Sequence, residues 1–243
     1  CLAALSNADE FDFNLVTTPG INYQDHPYVA SLVVETCENR GDAFYIMDVA
    51  PNQMAGDTAI SNVVDLAAQF DTNYAATYYP WVKILDTNLN KIVSVPPSVV
   101  MPAVYASNDN AAAEWFAPAG LNRGGIAQAV QVLDRTTHAE RDTLYEGRVN
   151  PIAAFPGQGI VVWGQKTLQR IPTALDRVNV RRLMIEVEKR IRVASRQLLF
   201  DPHDSILEQK FVRLATAILT EIQVGRGIEA FIVECDSVLN TPD

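Results

Sequence analysis

Cysteine and histidine are both scarce in this 243-residue chain, with three of each. Cys1, Cys37 and Cys235 form no C-x-x-C pair, which leaves a zinc knuckle or dithiol redox motif unsupported and favours free reduced thiols. His26, His138 and His203 fall in neither an H-x-x-x-H nor an H-E-x-x-H pattern, so no zinc site is expected. His203 follows Asp201-Pro202 and reads as a turn or capping residue. No G-x-S-x-G elbow is present to expose a nucleophilic serine. Because catalytic triads are spatial rather than sequential, a hydrolase on an α/β scaffold stays open as a competing reading. Gly157-Gln158-Gly159 and Gly225-Arg226-Gly227 are lone G-x-G pairs without the lysine of a phosphate loop, and they read as tight turns. No apolar run approaches the ~20 residues of a membrane-crossing helix. The expectation is therefore no catalytic, cofactor-binding or metal-binding residue.

Charge is present but uneven. Residues 1–122 carry 3 Lys and Arg against 14 Asp and Glu, a balance of −11. Residues 123–226 carry 16 against 11, or +5, and residues 227–243 carry 0 against 4. Such asymmetry points to two surfaces with different partners. At 48% hydrophobic residues the chain can bury a real core, as one large domain or two moderate ones. It opens on Cys1 rather than Met, and Cys1 to Ser6 lacks the basic flank of a signal peptide. A missing N-terminal part is expected.

Phe11 to Val16 is strand-like, with Thr17-Thr18-Pro19-Gly20 as its stop. His26 to Asn39 reads as a helix with Val29, Leu32, Val33 and Cys37 on one face, ended by Gly41 as a left-handed cap. Ala43 to Val49 has the composition of a buried strand. Thr58 to Phe70 places Ile60, Val63, Val64 and Ala67 at helical spacing. Thr77 to Leu85 is aromatic and β-branched and reads as one strand despite Pro80. This alternation of strand and helix predicts an α/β layered domain with a largely parallel sheet. Beyond it, Val130 to Leu133 and Ile160 to Trp163 read as short strands, and His138 to Glu146 as a brief helix closed by Gly147. Val180 to Leu198 is a long helix with Val180, Leu183, Val187, Ile191, Ala194 and Leu198 in one stripe. Asp204 or Ser205 caps a second long helix reaching about Gln223, with Leu207, Phe211, Leu214, Ile218 and Ile222 expected to be buried. Ile228 to Cys235 reads as a final strand. The division between halves is placed near Arg135.

The strongest polar feature is the first long helix, with Arg181, Arg182, Lys189, Arg190, Arg192 and Arg196. Glu186 and Glu188 pair with some of these cations, so a solvated face is one reading. A docking surface for an acidic partner is another, and a nucleic-acid module is a third. Aromatics are not interleaved with the arginines, which argues against stacking on single strands. Arg181 and Arg182 sit at the helix start, where the dipole disfavours cations, and are the two expected to have acidic partners.

Several short motifs occur in order: Pro96-Pro97-Ser98, Glu114-Trp115-Phe116-Ala117-Pro118-Ala119-Gly120, Val149-Asn150-Pro151-Ile152, Gly157 through Leu168 and Val178-Asn179-Val180-Arg181-Arg182-Leu183. Each alone is weak, but the ordered series resembles the tail sheath proteins of contractile-tailed bacteriophages. The sheaths of R-type bacteriocins and contractile injection systems share the pattern. The resemblance runs from Thr18-Pro19-Gly20 to Asn240-Thr241-Pro242. The chain departs from the family pattern at Val99, Val100 and Pro102, where glycines are usual, at Phe116 for lysine, and at Lys166 for arginine. The usual final strand is missing, so truncation at both ends is expected.

The resemblance implies a mixed α/β and α+β subunit. Residues 1–135 would form part of a subtilisin-like domain, named for its layering. Residues 136–243 would form a smaller α+β, tube-facing C-terminal domain. It implies a structural protein of the virion tail, made in the host cytoplasm, that assembles in six-fold rings and contracts to drive the tube through the host envelope during genome ejection. Implied partners are other sheath subunits, the tail tube protein, and baseplate and tail terminator proteins, with no nucleic acid, membrane insertion or cofactor. The six cations are then expected to contact other subunits or the tube.

Overall fold

Two runs, Phe44–Asp48 and Ala75–Tyr79, are buried at every position, as strands covered on both faces must be. They lie at the centre of a sheet in a computed structural model that describes residues 2–51 and 57–235. Cys1 and the Asn240-Thr241-Pro242 end of the resemblance lie outside the described residues. The elements in order are α1 (Leu2–Leu5), β1 (Leu15–Asn22), α2 (Pro27–Arg40), β2 (Phe44–Asp48), α3 (Asp57–Ala67), β3 (Ala75–Tyr79), β4 (Val82–Asp86), β5 (Lys91–Val95), α4 (Pro97–Ala111), β6 (Ala129–Val132), α5 (His138–Glu146), β7 (Val149–Phe155), β8 (Gly159–Val162), α6 (Val178–Ser195) and α7 (Ser205–Val224). The chain forms two compact units, residues 1–182 and residues 183–243.

In the first unit, five strands run in the order β1-β2-β3-β7-β8. The first four are parallel, and β8 turns back antiparallel on β7. Alternating side chains send Tyr45 and Met47 into a cluster with Val33 and Cys37 of α2, Ile60 and Val63 of α3 and Leu144 of α5. Phe44 points the other way and meets Tyr105 of α4, with ring centroids 6.5 Å apart. Helices thus cover both faces, the layered α/β arrangement that the alternation predicts. Because β7 pairs with β3, one sheet runs through the position near Arg135 where the sequence suggested a division.

A second, three-stranded antiparallel sheet has the order β5-β4-β6. The run from Thr77 to Leu85, expected as one strand, is two strands in two sheets, β3 and β4, parted at Pro80-Trp81. Proline lacks the donor a central strand needs. The Thr17-Thr18-Pro19-Gly20 stop also fails: β1 runs through it to Asn22, with its register to β2 shifting between Thr17 and Asn22. Since β1 is an edge strand, Pro19 is tolerated there.

Local signals set the helix ends. Gly41 adopts φ +72 and donates its N–H to the Cys37 carbonyl, closing α2 as a left-handed cap. Thr137 and Glu140 form a reciprocal capping box at the start of α5. In the second unit, the Asp204 side chain accepts from Ile206 and Leu207 N–H groups and starts α7. Of the five α7 residues expected in a core, only Ile222 is buried; Leu207, Phe211, Leu214 and Ile218 are half-buried. Ile228–Cys235 is irregular rather than a strand: among the described residues it joins no sheet and has no neighbouring strand to pair with.

Candidate assembly surface

α6 has neither glycine nor proline and is rich in long side chains that keep their rotamer freedom in a helix. The six cations expected at a contact surface, five on α6 and Arg196 just past its end, differ in their surroundings. Arg182 is 2% exposed and makes a two-pronged ion pair with Asp109, Nη1 to Oδ1 at 2.8 Å and Nη2 to Oδ2 at 2.6 Å. Its Nη2 also lies 3.8 Å from a Glu114 carboxylate oxygen, and its guanidinium is 4.8 Å from the centre of the Tyr105 ring. Burial pulls the Arg182 pKa down, but the hydrogen bond and charge of Asp109 outweigh it and hold the group above its ordinary value. Arg181 is also buried, stacks 4.0 Å over the Tyr74 ring and donates to the Tyr74 hydroxyl at 2.8 Å. The acidic partner expected for Arg182 is therefore present, and Arg181 stacks on an aromatic. Both belong to the interior of the first unit.

The other four cations lie in the second unit. Arg190 ties α6 to α7, with Nε 2.5 Å from Glu186 and Nη1 3.1 Å from Glu221. The hydrogen bond it donates to Glu186 is the main reason its pKa is raised. Lys189 is half-buried, and Arg192 and Arg196 are exposed. Lys189, Arg190 and Glu221 line an open hollow of about 630 Å³ along α6 and α7 that also includes Val193 and Ile218. Such a surface offers charge on an apolar floor.

The polar groups elsewhere in the first unit are structural. The Ser98 hydroxyl donates to the Asp48 carboxylate at 2.5 Å, and the Ser98 N–H donates to it at 3.2 Å. Burial pushes the Asp48 carboxyl up to about 6, against the opposing pull of the Ser98 hydrogen bonds. Ser98 is buried and has a carboxylate, not a histidine, as its hydrogen-bond partner. His138 pairs with Asp142 on the α5 surface, and His203 lines a hollow in the second unit. Burial also pushes the Cys37 thiol up to about 12, leaving it unreactive. Among the described residues, no group of three or more His, Cys, Asp or Glu is placed to hold a metal ion, and no helix is long and apolar enough to cross a membrane.

Two of the short motifs are joined by one residue that spacing alone did not single out. Asn150 is fully buried, donates to the carbonyls of Thr77 and Lys166 at 3.1 and 2.8 Å, and accepts from the Lys166 N–H at 2.6 Å. It stitches the Val149–Ile152 motif to the Gly157–Leu168 motif. At Gly164 a Cβ would lie 2.9 Å from the Asn150 Oδ1 and 3.0 Å from Pro151, which is why glycine stands there. A polar residue inside an otherwise apolar run was the signal that could have marked Asn150.

The first unit is a layered α/β scaffold whose buried polar residues brace its strands and helices. Residues 1–168 match the family model for the phage tail sheath protein central domain. The tail sheath protein of Enterobacteria phage T4 is 31% identical over 189 residues, 76% of this chain and 28% of that protein. The tail sheath protein of Vibrio phage KVP40 is 35% identical over 179 residues, 74% of this chain and 26% of that protein. The contracted sheath complex of the extracellular contractile injection system PVC superposes with a TM-score of 0.78 at 26% identity, covering 96% of this chain and 62% of that one. The chain belongs to the phage tail sheath protein family. It spans about a quarter of the length of the two curated relatives. These relatives are structural sheath proteins, and the hydrolase and nucleic-acid readings find no support.

Proposed function

We propose that this chain is a structural part of a contractile tail sheath that polymerises around the tail tube and contracts to drive the tube through the host envelope. The observation that carries this reading is the family match over residues 1–168, supported by the fit to a contracted injection-system sheath. Its partners are other sheath subunits, the tail tube, the baseplate and the tail terminator, and its place is the virion tail. In finer detail, the layered first part corresponds to the subtilisin-like sheath domain. The tube-facing part lies within residues 136–243.

On this reading, Lys189, Arg190, Arg192 and Arg196 contact neighbouring subunits or the tube. Arg181 and Arg182 serve the same surface indirectly, by fixing the root of α6. Exposed ion pairs contribute about 0–1 kcal/mol each, so a lattice that repeats them holds together yet can rearrange. The energy of contraction resides in the assembled lattice, and no cofactor is required. Immunogold labelling of purified tails with an antibody against this chain tests the reading. Label along the sheath of both extended and contracted tails is the expected result; label confined to the head or tube contradicts it.

A further inference from the structure

In the first unit, α5 and the β7–β8 hairpin frame a cleft of about 180 Å³ that the proposed sheath contacts do not use. It is lined by His138, Arg141, Asp142 and Tyr145 of α5, Pro151 of β7 and Trp163 just past β8. Its aromatic walls are held in place. The Tyr145 hydroxyl accepts from Arg177, and the Lys166 Nζ sits 4.3 Å from the centre of the Tyr145 ring. The same ring lies so close to Gly164 that a Cβ there would come within 3.1 Å of it. Trp163 meets Phe155 edge-on, with ring centroids 4.8 Å apart, and its backbone N–H donates to the Pro151 carbonyl at 2.8 Å. Although fixed in this way, Trp163 is 44% exposed, and its indole N–H has no acceptor among the described residues.

The polar groups of the cleft narrow the ligand. Arg141 is committed: it donates to the Thr136 carbonyl at 2.6 Å and stacks 5.5 Å from the Phe155 ring centre. The Tyr145 hydroxyl is taken by Arg177. What faces outward is one donor, the Trp163 indole N–H, and one carboxylate, Asp142, whose exposed side chain lies 2.9 Å from His138 Nδ1. A hydroxyl-rich sugar would leave most of its own donors without an acceptor here, at a cost for each one desolvated. A proline-rich segment does not. Proline has no N–H to satisfy, and the polyproline II helix makes no internal hydrogen bonds, so its carbonyls stay available to a donor such as the indole. Apolar cavities of about 150 Å³ admit benzene, so the cleft has room for one pyrrolidine ring. Grooves walled by fixed aromatic rings recognise such segments because neither side loses much freedom on binding.

We propose that the Tyr145–Pro151–Trp163 cleft is a docking site for a proline-rich protein segment in the polyproline II conformation, with the Trp163 indole donating to a ligand carbonyl and Asp142 facing a basic side chain beside the prolines. The site is independent of the cations of α6 and of the sheath reading.

The test follows the three indole N–H signals of the ¹⁵N-labelled full chain, one for each tryptophan, assigned with Trp163→Phe. The probe is an octaproline peptide with an arginine at one end. A saturable shift of the Trp163 signal at millimolar peptide or below is expected, with the Trp81 and Trp115 signals unmoved. A glycine–serine peptide of the same length and charge should shift none of them. Tyr145→Ala should weaken binding at least tenfold, whereas Tyr145→Phe, which retains the ring, should bind. Asp142→Arg, at an exposed position, should turn the preference from the arginine-ended peptide to a glutamate-ended one. No shift at millimolar peptide, an equal shift with the glycine–serine peptide, or a shift given by maltohexaose and not by polyproline overturns the proposal. So does an Asp142→Arg chain that is folded, by its unchanged Trp81 and Trp115 signals, and keeps the original preference.

Discussion

The two units of this chain use their side chains differently. In the first, β2 and β3 are buried throughout, and the interior holds paired polar groups: Arg40 with Asp42, Asp48 with Ser98, and Arg182 with Asp109. In the second, α7 buries Ala215 and Ile222, while most of its apolar stripe stays half-covered. Its ion pairs, Arg190 with Glu221 and Lys210 with Asp201, lie at the surface. The first unit is built to hold its own shape. The second leaves much of its apolar stripe half-covered, as the proposed contact with neighbouring subunits requires.

The largest expected difference is in amide hydrogen exchange. Core amides of β2 and β3 should exchange slower than those of α7 by roughly two orders of magnitude or more, because local opening is cheaper where few apolar contacts must break. Equal protection in the two units would break the comparison. Next in size is Arg182→Ala, which strands Asp109 in a partly buried site and should cost about 3–5 kcal/mol of first-unit stability. Trp81, Trp115 and Trp163 all lie in the first unit, so tryptophan fluorescence during urea unfolding reads this effect directly.

Asp48 sharpens the same point through pH. Its folded-state pKa, about 6, lies above the ordinary carboxylate value of 3.8. The folded chain therefore binds the proton more tightly than the unfolded one. The stabilisation is fully present below about pH 4 and is lost as the pH rises through about 6. Asp48→Asn should remove up to about one proton from the pH slope of unfolding in that window. An unchanged slope would mean the buried carboxyl is not the cause.

How much of this was legible in the sequence depended on the range of the interaction. Helix spans and caps rest on neighbours within four residues, and Gly41, Thr137 with Glu140, and Asp204 were readable or nearly so. Strand boundaries depend on distant partners. The aromatic run of β3 continues past Pro80 into β4, and nothing local says that the two belong to different sheets. Ile228–Cys235 has the composition of a strand but, among the described residues, no strand beside it. The candidate surface shows the same limit. Six cations on one helix were visible, but Arg182 finds its carboxylate 73 residues away, and spacing along α6 carries no trace of Asp109. The motifs behind the family resemblance were readable as short runs, but the bonds between them were not: Asn150 reaches Lys166, and Asn179 donates to the Trp115 carbonyl.

The smallest expected effect on folding belongs to the surface proposed for assembly. Reversing Lys189, Arg192 and Arg196 to glutamate should change stability by no more than about 0.5 kcal/mol per site. The same triple variant should weaken assembly of the sheath on its tube, and the remaining binding should depend on salt. Loss of folding would make the cations structural. Normal sheath length and contraction would return α6 to a solvated face.

The most direct measurement is a cryo-electron microscopy reconstruction of the tail that contains this protein. It should show the chain within a helical sheath around the tube, with Lys189 and Arg192 of α6 and the adjoining Arg196 against the tube or a neighbouring subunit. A tail in which the chain lies outside the sheath, or in which those three side chains face bulk solvent in both extended and contracted states, would contradict it.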